Sequence, residues 1–182
     1  MVPAVSEHHA TFVARGMSPA TPIEAAVDIA VSAESVWSAI AEEGNLVRVH
    51  PFCASNEVEQ WPGVGSRDHV RYYSGIHYER EFVSWDEGVG YVIEVGPPSG
   101  KAALARWWID PAGSGRCRFG IEVTSFVRSD VSAEARARYE TDVIRGALPS
   151  YLDGVVRGVA HYCETGTPVA KNQFGAHALY SP

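Results

Sequence analysis

The chain has 182 residues, 46% hydrophobic and 20% charged, the balance of one globular domain of ordinary size. Its formal charge of −7 argues against nucleic acid as a partner, because phosphate neutralisation needs a basic face. No apolar run approaches the ~20 residues that span a bilayer, and the three cysteines, Cys53, Cys117 and Cys163, are odd in number and far apart, as buried thiols rather than a disulfide framework would be.

Residues 1–21 carry Pro, Ser, Ala, Gly and the pair His8-His9 without periodicity, and read as a poorly ordered extension in which Met17 is a second candidate start. They lack the positive segment and apolar core of a signal peptide, so the cytoplasm is the expected location. Ile23 to Val31 alternates and predicts a first strand. Ser32 then offers an N-cap for a helix with Val36, Trp37, Ile40 and Ala41 on its apolar face, ended by Gly44-Asn45. A short second helix, about Leu46 to His50, is stopped by Pro51.

From Cys53 the period changes to two. Strands are predicted over Cys53–Gln60, Ser66–Tyr73, Ile76–Trp85, Gly90–Val95, Ala102–Asp110 and Arg116–Arg128. The Gly- and Pro-rich links between them are short, which implies an antiparallel meander.

Val131 to Glu164 then repeats apolar side chains in steps of four, at Tyr139, Val143, Ala147, Tyr151, Val155 and Val159, with charges on the opposite side. That is a long amphipathic helix, capped by Asp130 or Ser132 and ended by Gly166, with a kink expected at Pro149. The remaining tail, 166–182, has too many aromatic and amide side chains for disordered filler. It either folds back over the sheet, crosses a partner in a homodimer, or frays. An antiparallel sheet must bury one face, and the long helix is the only large apolar surface available to cover it.

With Val31-Ser32-Ala33-Glu34-Ser35-Val36-Trp37, Val47-Arg48-Val49-His50-Pro51, Gly63-Val64-Gly65-Ser66 and Glu79-Arg80-Glu81-Phe82-Val83-Ser84-Trp85-Asp86 in place before that helix, residues 22–165 resemble the START/Bet v 1-like (SRPBCC) superfamily, polyketide cyclase/dehydrase-like group. The resemblance implies an α+β helix-grip fold, a curled seven-stranded antiparallel sheet wrapped around a long C-terminal helix, with a largely apolar pocket between them. It also implies a lipid-, hormone- or polyketide-like ligand. The loop Tyr73-Ser74-Gly75-Ile76-His77 lacks the Leu-Pro-Ala gate of the plant abscisic acid receptors, which weighs against a hormone-receptor role.

Alternation selects the inward side chains. It favours Val70 and Tyr72; Tyr78, Arg80 and Phe82; Tyr91, Ile93 and Val95; and Trp107 over Trp108. His69 and His77 fall on the solvent side. On the last strand, matching to the superfamily favours Glu122, Thr124 and Phe126, whereas hydrophobicity favours Ile121, Val123, Ser125 and Val127. The helix contributes Tyr139, Val143 and Ala147.

Arg80 inside an apolar cavity must be paired or ligated. It either anchors an anionic or carbonyl group of a ligand or forms an ion pair with Glu122 or Glu94. Tyr72, Tyr78 and Tyr139 either supply hydroxyls around the same ligand or are simply core. His50 either acts as acid or base at the pocket mouth or merely packs and caps a helix end. The candidate catalytic residues are therefore Arg80, Tyr78 and His50, with no cofactor and no metal expected. The first reading is a binding module for a small hydrophobic or aromatic molecule. The alternatives are a polyketide cyclase/aromatase-type enzyme using Arg80 and the pocket tyrosines, and a ligand-free interaction module.

Overall fold

A computed structural model describes residues 8–182. In chain order the elements are α1 (His9–Ala14), β1 (Met17–Pro19), β2 (Ile23–Ile29), α2 (Ala33–Ile40), α3 (Leu46–Val49), β3 (Cys53–Gln60), β4 (Arg67–Tyr72), β5 (His77–Asp86), β6 (Gly90–Gly96), β7 (Ala103–Pro111) and β8 (Cys117–Arg128). A C-terminal helical run follows, made of α4 (Ala133–Tyr139), a π-helical stretch (Glu140–Ala147) and α5 (Leu148–Thr165).

All strand pairs are antiparallel, in the spatial order β1-β8-β7-β6-β5-β4-β3, and β2 pairs with β8 beside β1. The seven expected strands are present, and β1 is an eighth among the described residues. The sheet curls around α5, whose Leu152, Val155, Val156 and Val159 are at most 2% exposed. Burying each of them is worth roughly 1.5–3 kcal/mol. This is the helix-grip arrangement.

Local chemistry places the helices. Ser32 accepts a hydrogen bond from Ser35 N–H at 3.2 Å and caps α2, which buries Val36, Ala39 and Ile40. Ser132 caps α4 in the same way through Ala135 N–H at 3.1 Å. Gly166, at φ 70°, ends α5 in the left-handed conformation that glycine adopts without strain. Gly158 lets α5 approach the chain below it, since a Cβ there would lie 2.2 Å from the Val49 carbonyl oxygen.

Two expectations change. Within the expected poorly ordered extension, residues 9–14 form α1 and residues 17–19 pair with β8, while residues 1–7 lie outside the described residues. The cause is Phe12, fully buried and stacked 4.1 Å from Phe126 on the outer face of the sheet, beside Val92 and Leu104. Second, the long helix is not one α-helix with a kink. Pro149 has no N–H to offer the preceding turn, and that turn widens so that Leu148 N–H reaches Val143 O, five residues back. Of the alternatives open for the tail, the structure shows it folded back on the domain: Val169 N–H donates to Arg48 O at 2.9 Å, and Asn172 N–H to Pro51 O at 3.0 Å.

Candidate functional site

The space between sheet and C-terminal helix has two ends. One is filled by rings: Trp37, Trp61, Phe82, Trp85 and Tyr91 contact one another with centroids about 5–6 Å apart. The other is an open cavity of about 230 Å³. Trp107 marks the boundary, stacked on Tyr91 at 5.6 Å and walling the cavity with its other side.

Val70, Tyr72, Tyr78, Arg80, Ile93, Val95, Trp107, Tyr139 and Val143 line this cavity, and so does His50. Phe82 and Tyr91 point inward as alternation requires, but their rings are spent in the aromatic end and do not reach the cavity wall. Glu122, Thr124 and Phe126 lie on the other face of the sheet, where Glu122 accepts from Arg106 Nη2 at 2.9 Å and Phe126 packs under α1. The cavity face of β8 is instead Ile121, Val123 and Ser125, the choice hydrophobicity favours. Ala147 is displaced by Leu148, because the π-helical stretch adds a residue to the turn and moves the inward row from 143 to 148, then on to Tyr151, Leu152 and Val155. His69 and His77 are half-buried on the outer face, with Nδ1 of His69 3.1 Å from Nε2 of His77 and its Nε2 2.7 Å from Glu59 Oε1.

Arg80 is 4% exposed, and its partner is neither Glu122 nor Glu94, which bonds to Arg15 at 3.2 Å. Nε of Arg80 donates to Asp68 Oδ1 at 2.7 Å, and Nη2 donates to Oδ2. Asp68 is 1% exposed and shares the inward face of β4 with Val70 and Tyr72. Burial opposes the charge on Arg80, but the Asp68 carboxylate outweighs it and holds the guanidinium firmly protonated. Each oxygen of this carboxylate thus accepts one hydrogen bond from Arg80, which uses two of the five guanidinium N–H groups.

A second polar feature of the wall is a chain of hydrogen bonds. Phe52 N–H donates to His50 Nδ1 at 3.2 Å. A nitrogen that accepts carries no proton, so the His50 proton sits on Nε2, which lies 3.0 Å from the Tyr151 hydroxyl and donates to it. Tyr151 Oη is in turn 2.9 Å from Tyr72 Oη. Two phenols joined by one hydrogen bond, with an outside donor already on Tyr151, leave one O–H free to donate into the cavity that both residues line.

Burial, and then the nearby Arg80 charge, push the His50 pKa down to about 3, so its imidazole is neutral at physiological pH. Burial raises Tyr72 and Tyr151 well above the usual phenol value, so both remain protonated donors. Among the described residues that wall the cavity there is no carboxylate, and its one imidazole has both nitrogens engaged. The Cys53 thiol is pushed up to about 12, chiefly by burial, which removes it as a nucleophile at neutral pH. The site therefore offers hydrogen-bond donors in an apolar chamber, without a free base.

Reasoning from sequence did not single out Leu148, Leu179 and Tyr180 of the wall, nor Asp68 behind it as the partner of Arg80. It had Tyr151 only as one of an apolar row. Alternation places Asp68 two residues before Val70, on the same face, and that signal was available.

A profile of the family described as polyketide cyclase / dehydrase and lipid transport matches residues 20–164. A comparison with curated proteins finds no match. Among solved structures, the protein XoxI from Bacillus cereus is similar at 14% identity, covering 78% of this chain and 94% of its own, with a TM-score of 0.60. Norcoclaurine synthase from Thalictrum flavum, solved with dopamine and hydroxybenzaldehyde, is similar at 15% identity over 81% of this chain and 90% of its own, with a TM-score of 0.58. The di-domain ARO/CYC BexL of the BE-7585A biosynthetic pathway is similar at 13% identity over 78% of this chain and 46% of its own, with a TM-score of 0.58. At these identities the structural likeness shows the shared fold.

Proposed function

Since the chain belongs to the polyketide cyclase / dehydrase and lipid transport family, we propose that it binds a small hydrophobic or aromatic molecule bearing a carbonyl-type acceptor in the cavity between sheet and C-terminal helix. The observation that carries this reading is the Tyr72–Tyr151 hydroxyl pair, whose hydrogen bonds leave one O–H to donate, in a largely apolar chamber. Apolar walls such as Val70, Ile93, Trp107 and Val143 supply most of the affinity, at roughly 25 cal/mol per Å² removed from water. The donor chain fixes orientation and selects against pure hydrocarbons. Tyr78 and Tyr139 add contact surface, and Arg80, which also lines the cavity, is held in place by Asp68.

Size narrows the ligand. An apolar cavity of about 150 Å³ holds one benzene ring, so about 230 Å³ accommodates one to two fused rings. That the fold neighbour from Thalictrum flavum was solved with two small aromatic molecules is in keeping with this class. A cavity of this size, left after all the large side chains have been placed, counts against a ligand-free interaction module.

The second reading is a cyclase/aromatase-type enzyme, and the same donor favours it, because an O–H aimed at a carbonyl also stabilises an enolate oxygen. It lacks a base among the described wall residues, which is why binding is preferred. Native mass spectrometry with acetophenone and 2-acetonaphthone tests the proposal. A single-ligand adduct is expected with each, and the absence of both adducts contradicts it. Turnover of a poly-β-ketone surrogate, lost in the Tyr72→Phe/Tyr151→Phe variant, would establish the enzyme instead.

A further inference from the structure

The family match ends at residue 164, and α5 ends at Thr165, yet the cavity wall includes two residues beyond both, Leu179 and Tyr180. Tyr180 is 8% exposed, with its ring 4.5 Å from Tyr72 and 4.6 Å from Tyr151, against the two phenols that carry the donor. Its neighbour Leu179 is 44% exposed while still bordering the cavity. This short stretch of tail is thus the partition between cavity and solvent at that end.

The partition is held from outside the cavity. His177 and Ser181 exchange backbone hydrogen bonds of 3.0 and 2.8 Å and close the turn that presents Tyr180. His177 Nε2 donates to Ala147 O at 3.0 Å, at the end of the π-helical stretch. Ser74 N–H, in the β4–β5 hairpin, donates to Tyr180 O at 3.0 Å. Each anchor uses backbone or the His177 ring, and none uses the Tyr180 side chain. The phenol ring is therefore placed by the backbone anchors of its turn, and His177 also stacks on it at 5.1 Å.

We infer that Tyr180, contributed by the tail beyond the family domain, sets the upper size of the ligand. With the ring in place the cavity accepts one or two fused rings; without it, the space opens toward the surface at Leu179 and admits longer or multi-ring molecules. The inference rests on the cavity being a ligand site.

The test uses the full chain and three ketones of graded size: acetophenone, 2-acetonaphthone and progesterone. The wild type is expected to bind the first two and exclude the steroid. Tyr180→Ala keeps the Ser74 and His177 anchors and is expected to gain at least tenfold in steroid affinity. Tyr180→Trp is expected to lose 2-acetonaphthone while retaining acetophenone. Thermal melts of both variants check that the fold is kept. An unchanged size limit in both folded variants overturns the inference and leaves the cavity reading standing, as does a loss of small ketones in Tyr180→Ala with no gain for the steroid. Failure of the wild type to bind any of the three overturns the cavity reading and this inference with it.

Discussion

Asp68 and Arg80 face each other across the β4–β5 register and are joined by two hydrogen bonds with almost no exposure to water. The pair is therefore a framework element, and its energetics are asymmetric. Removing one partner leaves an uncompensated buried charge, at a cost of about 3–5 kcal/mol, whereas replacing both with apolar side chains of similar volume is often neutral or better. Asp68→Ala is expected to lose that amount in urea unfolding, and Asp68→Leu/Arg80→Met to recover most of it. A double variant as unstable as the single one would show that the charges hold more than each other.

His50 gives the protein an acid sensitivity with a defined sign. Its pKa is about 3 in the fold and 6.5 unperturbed, so between these values the unfolded chain binds the extra proton. Stability from this group is complete above pH 6.5, falls as pH drops toward 3, and then levels off. The slope is about 1.4 kcal/mol per pH unit. Urea unfolding of the wild type against His50→Gln, from pH 7.5 to 4.5, is expected to show this extra loss only in the wild type. Parallel curves would contradict the buried neutral imidazole.

At Gly158 two effects compete. Alanine improves helix propensity by about 1 kcal/mol, but its Cβ would sit 2.2 Å from the Val49 carbonyl oxygen and 3.2 Å from Pro51 Cδ. Relieving a clash with backbone costs roughly 1–3 kcal/mol. The clash wins, and Gly158→Ala is expected to lower Tm by several degrees. A raised Tm would mean that α5 can slide away from this segment freely.

Helix α1 is packed onto the outer face of the sheet. Phe12 is fully buried and stacked on Phe126, so Phe12→Ala is expected to destabilise by about 3–5 kcal/mol. A cost below about 1 kcal/mol would show that α1 is only loosely attached.

The meander, the helix caps and the inward faces of β4 to β7 were legible because each depends on local period and on turn chemistry. Three features were not, for separate reasons. Ala147 looked inward because a four-residue step assumes an α-helix throughout, and the π-helical stretch before Pro149 shifts that row to Leu148. Glu122, Thr124 and Phe126 were favoured by likeness to a superfamily, while the apolar alternation of Ile121 and Val123 pointed the other way and gave the cavity face. Phe82 and Tyr91 face inward as read, but which aromatic rings fill space and which border it depends on packing between elements distant in sequence, and no strand pattern contains that. Tyr180 shows the same limit: its aromatic character was visible in the tail, and its position was not.

A cavity that holds a hydrophobic molecule through a directed phenolic donor must discriminate a ketone from the matching hydrocarbon. The measurement that bears on it most directly is the affinity ratio of 1-tetralone to tetralin, two ligands of one shape differing in a carbonyl. The wild type is expected to prefer the ketone about tenfold, which is 1.4 kcal/mol and is within the range of one hydrogen bond. In Tyr72→Phe/Tyr151→Phe, with its fold verified by a thermal melt, the ratio is expected to fall to near one. Equal affinities in the wild type, or a preference that survives the double substitution, would contradict the account.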